Sequence, residues 1–206
     1  SEGTPIHHTH EGIRNFHRWF GDSKMVDEHG RPQVFHHGSA KEDIDSFDVE
    51  KSGSVQYSDW GKGVYFTPRK SQANDYKAEA VKKNDKEYND AYAHYKALSK
   101  KDGWKNGSPQ TSDETFAALN KFRSVDNKLD STTSGKVYSS YLNLKNPHHE
   151  EYSSMNDFYL EKRVKEKGHD GIVVHTYHGK IDEVVAFHDH QIKSAESNNG
   201  EFGNNN

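Results

Sequence analysis

Apolar residues at Ile13, Phe16, Trp19 and Phe20 recur at helical spacing and Gly21 supplies a stop, so residues 11–20 are predicted as an amphipathic helix behind a loose arm at 1–10. The period then shortens. Met25-Val26 and residues 31–37 flank the turn signal Asp27-Glu28-His29-Gly30 and read as a hairpin whose second strand ends in His37-Gly38-Ser39. Residues 40–60 are short polar pieces around Phe47 and Trp60, read as a loop bordering a site. Residues 63–67 form a strand. Thr67-Pro68 then opens a helix through Ala73 and Tyr76 toward Lys83, with Thr as N-cap and Pro in the first turn.

Residues 84–135 change character: Lys, Asp, Asn, Ser and Tyr dominate, with Gly103, Gly107 and Pro109 in the middle. They are predicted as an inserted helical hairpin, roughly 86–101 and 113–128. Residues 137–144 alternate toward Asn146-Pro147 as a strand. Residues 154–167 carry Met155, Phe158, Leu160 and Val164 as an amphipathic helix. Residues 171–174 and 183–187 are short apolar strands joined by a polar turn, and 196–206 is a polar tail. The sum is one α+β domain over 11–195 with mostly antiparallel strands.

Composition narrows the classes. With 206 residues, 30% hydrophobic and 29% charged, much of the chain must be surface, while 3 Trp, 10 Phe and 11 Tyr make aromatics a large share of the core. No apolar run approaches the roughly 20 residues that span a bilayer and no hydrophobic signal opens the chain, so a soluble protein is expected. A net charge of −4 gives no general attraction to nucleic acid or anionic membrane. Zero cysteines excludes disulfides and cysteine-bound zinc but leaves the compartment open, cytoplasmic or secreted. Fifteen histidines invite a metal reading at His7, His8 and His10 and at His188 and His190; their polar settings favour solvated clusters, and no metal is expected.

Three segments carry chemistry in a fixed order: His37-Gly38-Ser39; Gly61-Lys62-Gly63-Val64-Tyr65-Phe66 with Tyr76 eleven residues after Tyr65; and Asp182-Glu183-Val184-Val185-Ala186-Phe187. Together they resemble the histidine–tyrosine–glutamate signature of ADP-ribosyltransferases, in the diphtheria-toxin and poly(ADP-ribose) polymerase branch. Gln191-Ile192-Lys193-Ser194 and the stretch 16–31 are similar to bacterial and phage polyvalent-protein members of that superfamily. The resemblance covers about 13–83 and 136–195. It implies a split antiparallel sheet with peripheral helices, and NAD as co-substrate without a metal.

The same resemblance implies the roles. Glu183 steadies the reacting ribose, His37 holds the adenine-side ribose, Gly38 and Ser39 receive the nicotinamide amide, and Tyr65 and Tyr76 flank the ring. Ser71 stands near the position of a further family serine, although strict counting from Tyr65 lands on Ala73. Breaking a glycosidic bond to a cationic leaving group needs little acid help, because nicotinamide departs neutral; the demand is a carboxylate near an oxocarbenium-like ribose. Asp182 is the chemical rival of Glu183, but strand alternation aims it the other way. Mono-ADP-ribosylation of a protein, DNA or RNA acceptor by a bacterial or phage toxin or effector, with an immunity protein or antitoxin as a further partner, is the leading reading. An NAD glycohydrolase and an inactive NAD- or partner-binding module are the alternatives. The absence of a Gly-x-Gly-x-x-Gly strand–turn–helix setting disfavours NAD redox chemistry.

Overall fold

The structure, a computed structural model, describes residues 6–50, 59–105, 108–152, 157, 159–197, 200 and 202. Helix α1 (His10–Phe20) begins where the Thr9 side chain accepts the Gly12 amide and ends at Gly21, whose φ of 52° turns the chain. Its apolar stripe buries Phe16, Trp19 and Phe20 against Met25, Phe35 and Leu142 in the main core. A Phe16→Ala change there would cost about 3–5 kcal/mol.

Two sheets build the first compact unit, residues Ser1–His37, Asp43–Ala73 and Val137–Asn206. One has the order β1 (Val34–Ser39), β5 (Lys136–Leu142), β9 (Ile192–Ser194). The other has the order β2 (Val64–Phe66), β8 (Ile181–Ala186), β7 (Gly171–His175), β6 (His148–Glu151). Strands β2, β8 and β7 are antiparallel neighbours, while β6 joins β7 in parallel. The fold is therefore α+β with a split, mostly antiparallel sheet, as the sequence predicts. Helix α5 (Leu160–Glu166) places Leu160 and Val164 against Ile172, Val174 and Val185 in a second apolar cluster.

Boundaries differ where backbone groups have a competing use. The expected hairpin at 25–37 is a single bridge between Val26 and Pro32 before β1, with the Asp27 carboxylate accepting the amides of His29 and Arg31. Helix α2 (Lys70–Asn84) starts later than Thr67-Pro68 suggests, because the Thr67 backbone is paired with His36. The Thr67 hydroxyl nevertheless accepts the Arg69 amide. Of the helix expected at 154–167, Met155 and Phe158 lie outside the described residues.

The second unit comprises Gly38–Glu42 and Asn74–Lys136. Helices α3 (Lys86–Asp102) and α4 (Asp113–Asp130) form the predicted helical pair, each N-capped by a side chain, Asp85 and Ser112. Tyr88, Tyr92 and Tyr95 of α3 gather around Phe122 of α4 at ring-centroid distances of 5.2, 5.2 and 6.2 Å. Lys82 bridges Asp126 and Asp130. Two short strands, β3 (Trp104–Lys105) and β4 (Ser108–Pro109), pair between the helices. Among the described residues no helix is long and apolar enough to cross a membrane.

Candidate active site

The Gly61-Lys62-Gly63 segment is explained by two backbone demands. Gly61 sits at φ 103°, a conformation side chains rarely adopt. A Cβ on Gly63 would meet Val185 Cγ1 at 2.3 Å and the Ala186 carbonyl at 2.9 Å, so only glycine lets the chain enter β2 this close to β8. The reward is register: Tyr65 stands directly opposite Val185, and Phe66 opposite Val184.

That register sorts β8 into two faces, since alternate residues point oppositely. Glu183, Val185 and Phe187 share the face of Tyr65 and Trp60, and the Trp60 indole Nε1 donates to Glu183 Oε2 at 3.1 Å. Asp182, where the β7–β8 ladder shifts register, is ion-paired with Arg69. The two acids, expected to point apart by alternation, have separate partners, Arg69 and Trp60.

Around Tyr65 the hydrogen bonds close a small turn. Its hydroxyl donates to the Gly61 carbonyl at 2.6 Å and accepts the Trp60 amide at 3.2 Å. The Tyr65 carbonyl accepts from His37 Nδ1 at 2.8 Å. A carbonyl can only accept, so Nδ1 carries the proton, and burial pulls the His37 pKa below its ordinary value. The ring is thus the neutral Nδ1–H tautomer, with Nε2 left as an acceptor. Phe47 and Phe66 pack on it at 5.1 and 5.6 Å. Its neighbour His36 turns instead to Ser139 Oγ, 3.2 Å away, and Ser139 donates to Glu196.

Glu183 carries the largest electrostatic signature. Its pKa rises from 4.5 to about 8, chiefly because the carboxyl is buried, then because Asp59 lies near; the Trp60 hydrogen bond pulls the other way, and Asp182 adds a smaller push upward. A carboxyl so raised is a functional-site signal, because a fold gains no stability from a buried unpaired charge.

His37, Tyr65 and Glu183 are therefore joined through one chain of contacts, Tyr65 to His37 by its carbonyl and to Glu183 by way of Trp60. The other predicted residues are placed as follows. Gly38 and Ser39 finish β1, with the Ser39 hydroxyl accepting the Lys41 amide. Ser71 is exposed in the first turn of α2, Ala73 two residues on is fully buried, and Tyr76 is 39% exposed on the same helix. Gln191 has a structural part: its Oε1 accepts the amides of Phe187 and His188 as β8 ends, and its Nε2 donates to the Asp170 carbonyl. Sequence reasoning placed Trp60 only in a bordering loop; its link to Glu183 spans 123 residues and has no local signal. Among the described residues no three His, Asp or Glu side chains are grouped to hold a metal.

A profile of the family described as ADP-ribosyltransferase in polyvalent proteins matches residues 27–202. The chain belongs to that family. No curated protein matches the chain. ADP-ribosyltransferases use NAD as co-substrate. The matched span contains all three motif segments and both acids of β8.

Proposed function

We propose that this ADP-ribosyltransferase cleaves NAD at the nicotinamide–ribose bond, with Glu183 as the catalytic carboxylate, and transfers a single ADP-ribose to a macromolecular acceptor. The observation that carries the reading is Glu183 itself: a half-buried carboxyl on the Tyr65 face of β8, held at a raised pKa, within a family whose reaction develops positive charge on ribose. As the glycosidic C–N bond breaks, its electron pair leaves with nicotinamide. The ribose C1 becomes electron-poor, the acceptor nucleophile bonds to it, and the acceptor's proton passes to solvent. A carboxylate against that ribose stabilises charge present mainly in the transition state.

In this reading His37 Nε2 accepts a hydroxyl of the adenine-side ribose, which the fixed Nδ1–H tautomer permits. Tyr65 offers a ring face to the cationic pyridinium while its hydroxyl holds the 60–61 turn. For Gly38, Ser39, Ser71 and Tyr76 the support is the motif resemblance alone.

Purified protein mixed with NAD, with and without cell lysate fractions, tests the proposal by nicotinamide release and mass spectrometry of ADP-ribosylated products. Transfer predicts release that depends on a protein or nucleic-acid fraction and a product carrying one ADP-ribose. Rapid release with NAD alone would make water the acceptor, and no release in any arm would leave an NAD- or partner-binding module. A toxin or effector role follows only if the labelled acceptor belongs to a target cell.

A further inference from the structure

Trp60 is built into the fold far more firmly than a loop residue needs to be. It is 3% exposed, its indole packed among Leu160, Val164 and Phe187. Its amide donates to the Tyr65 hydroxyl at 3.2 Å, and its carbonyl accepts the Glu161 amide of α5 at 3.0 Å. Backbone hydrogen bonds to β2 and α5, with apolar packing of the ring, thus fix a residue whose single polar side-chain atom is spent on Glu183 Oε2. Among the described residues this is the only hydrogen bond the Glu183 carboxyl accepts, and it goes to one oxygen.

We propose that Trp60 is the positioning residue of Glu183: the indole N–H pins Oε2 so that Oε1 is presented in a fixed direction to the nicotinamide-side ribose. The inference rests on the functional reading above and adds a residue to it. An indole N–H only donates and has no acidity in water, so it holds the carboxyl in either protonation state and cannot itself exchange a proton with substrate. Lysine or arginine in its place would neutralise the carboxylate that the reaction uses; a buried neutral donor orients it and leaves the charge available. Rigid support of this kind matters because small losses of alignment at a reacting group cost large factors in rate.

Among the described residues the charged and titratable groups around the carboxyl are few. Asp59 precedes Trp60, Asp182 adjoins on β8 and is paired with Arg69, and the Tyr65 hydroxyl lies across the turn. From α5, Glu161 is paired with Lys165. From β7, the residue opposite Glu183 is the apolar Val174, with His175 opposite Ile181. Removing the Trp60 donor takes away the one interaction that favours the carboxylate, so the Glu183 titration must move to higher pH.

The test has an arm that needs no activity. The protein has three tryptophans, so its ¹⁵N-labelled form gives three indole N–H resonances, and Trp60→Phe identifies the one of interest. That resonance should titrate with a midpoint near that of Glu183, about 8, and should lose the titration in Glu183→Gln. In kinetics, Trp60→Phe keeps the apolar ring but lacks the donor. It should lower kcat by about 10- to 100-fold with KM for NAD changed less than about threefold, and shift the rising limb of kcat/KM to higher pH. A resonance indifferent to pH and to Glu183→Gln overturns the proposal whatever the enzyme does and whether or not Trp60→Phe folds. So does a folded Trp60→Phe with normal kcat and an unmoved pH profile. A coupled resonance in a wild-type protein that cleaves no NAD overturns the functional reading, and this role with it, while the contact itself stands.

Discussion

Strand β8 carries two adjacent acids with opposite fates. Asp182 sits where the β7–β8 ladder shifts register and is held by Arg69. Glu183 lies on the face of Tyr65 and Val185, has no cationic partner among the described residues, and accepts only a neutral indole donor. One carboxylate is stabilised by its surroundings and the other is made less comfortable by them, which is the ordinary arrangement when a fold supports one acid and a reaction employs the next. The same division recurs on β1, where His36 joins Ser139 and Glu196 while His37 turns to the Tyr65 carbonyl.

The sharpest way to break the comparison is to neutralise each acid in turn. Glu183→Gln keeps size and hydrogen-bonding capacity but removes the charge, and turnover should fall by roughly two to four orders of magnitude, about 3–5 kcal/mol of barrier, with NAD affinity little changed. Asp182→Asn should cost less than about tenfold. Steady-state nicotinamide release by both variants decides it; a larger loss at Asp182 would reverse the roles of the two acids.

Stability should separate them next. The folded pKa of Glu183 lies above its ordinary 4.5, at about 8, so the protein favours the protonated form. Its contribution is full below pH 4.5 and is lost progressively as pH rises from there through 8, because over that range the unfolded chain ionises while the folded site retains the proton. Glu183→Gln stays neutral throughout. Denaturant melts should therefore show the variant gaining on the wild type between pH 5 and 9 by about 2–4 kcal/mol, the upper limit being reduced for the partial exposure of the side chain. A stability difference that is flat with pH would show the carboxyl to be better solvated than its burial implies.

How much of this was legible in the chain depends on the range over which each feature is decided. Helix α1 follows from apolar spacing and a glycine stop, and α3 and α4 from composition and the Gly and Pro breaks between them; the side-chain caps Thr9, Asp85 and Ser112 are local as well. The place of Glu183 on β8 follows from the motif, whereas the register shift at Asp182 depends on pairing with β7 and has no local signal. Strand β6 has no local signal because His148-His149-Glu150-Glu151 has no apolar residue; it is an edge strand, and its place is set by parallel pairing with β7, buried from Gly171 to Val174. The start of α2 was placed early because the Thr67 backbone pairs with His36, 31 positions away, an arrangement propensity cannot register. Trp60 went unassigned for the same reason: its partners sit on β2, α5 and β8.

The smallest effect falls on β1, and it tests whether the division seen on β8 is general. With Nδ1–H committed to the Tyr65 carbonyl, His37 has one lone pair to give, at Nε2, and a ribose hydroxyl can donate to it. Such a bond is made in the ground state as well as in the transition state, so its loss appears in KM more than in kcat. His37→Ala should raise KM for NAD by about tenfold, near 1.4 kcal/mol, with kcat reduced much less. His36→Ala should change KM by less than about twofold, since its ring is engaged by Ser139 on the opposite side. Burial holds the His37 pKa below its ordinary value, so KM should be flat from pH 7 to 9 in the wild type and climb only in acid, when Nε2 takes a proton and ceases to accept. His37→Ala should lose that acid climb. Equal effects from the two histidines would mean that the strand does not divide its faces as β8 does, and that His37 serves the packing of Phe47 and Phe66 rather than the substrate.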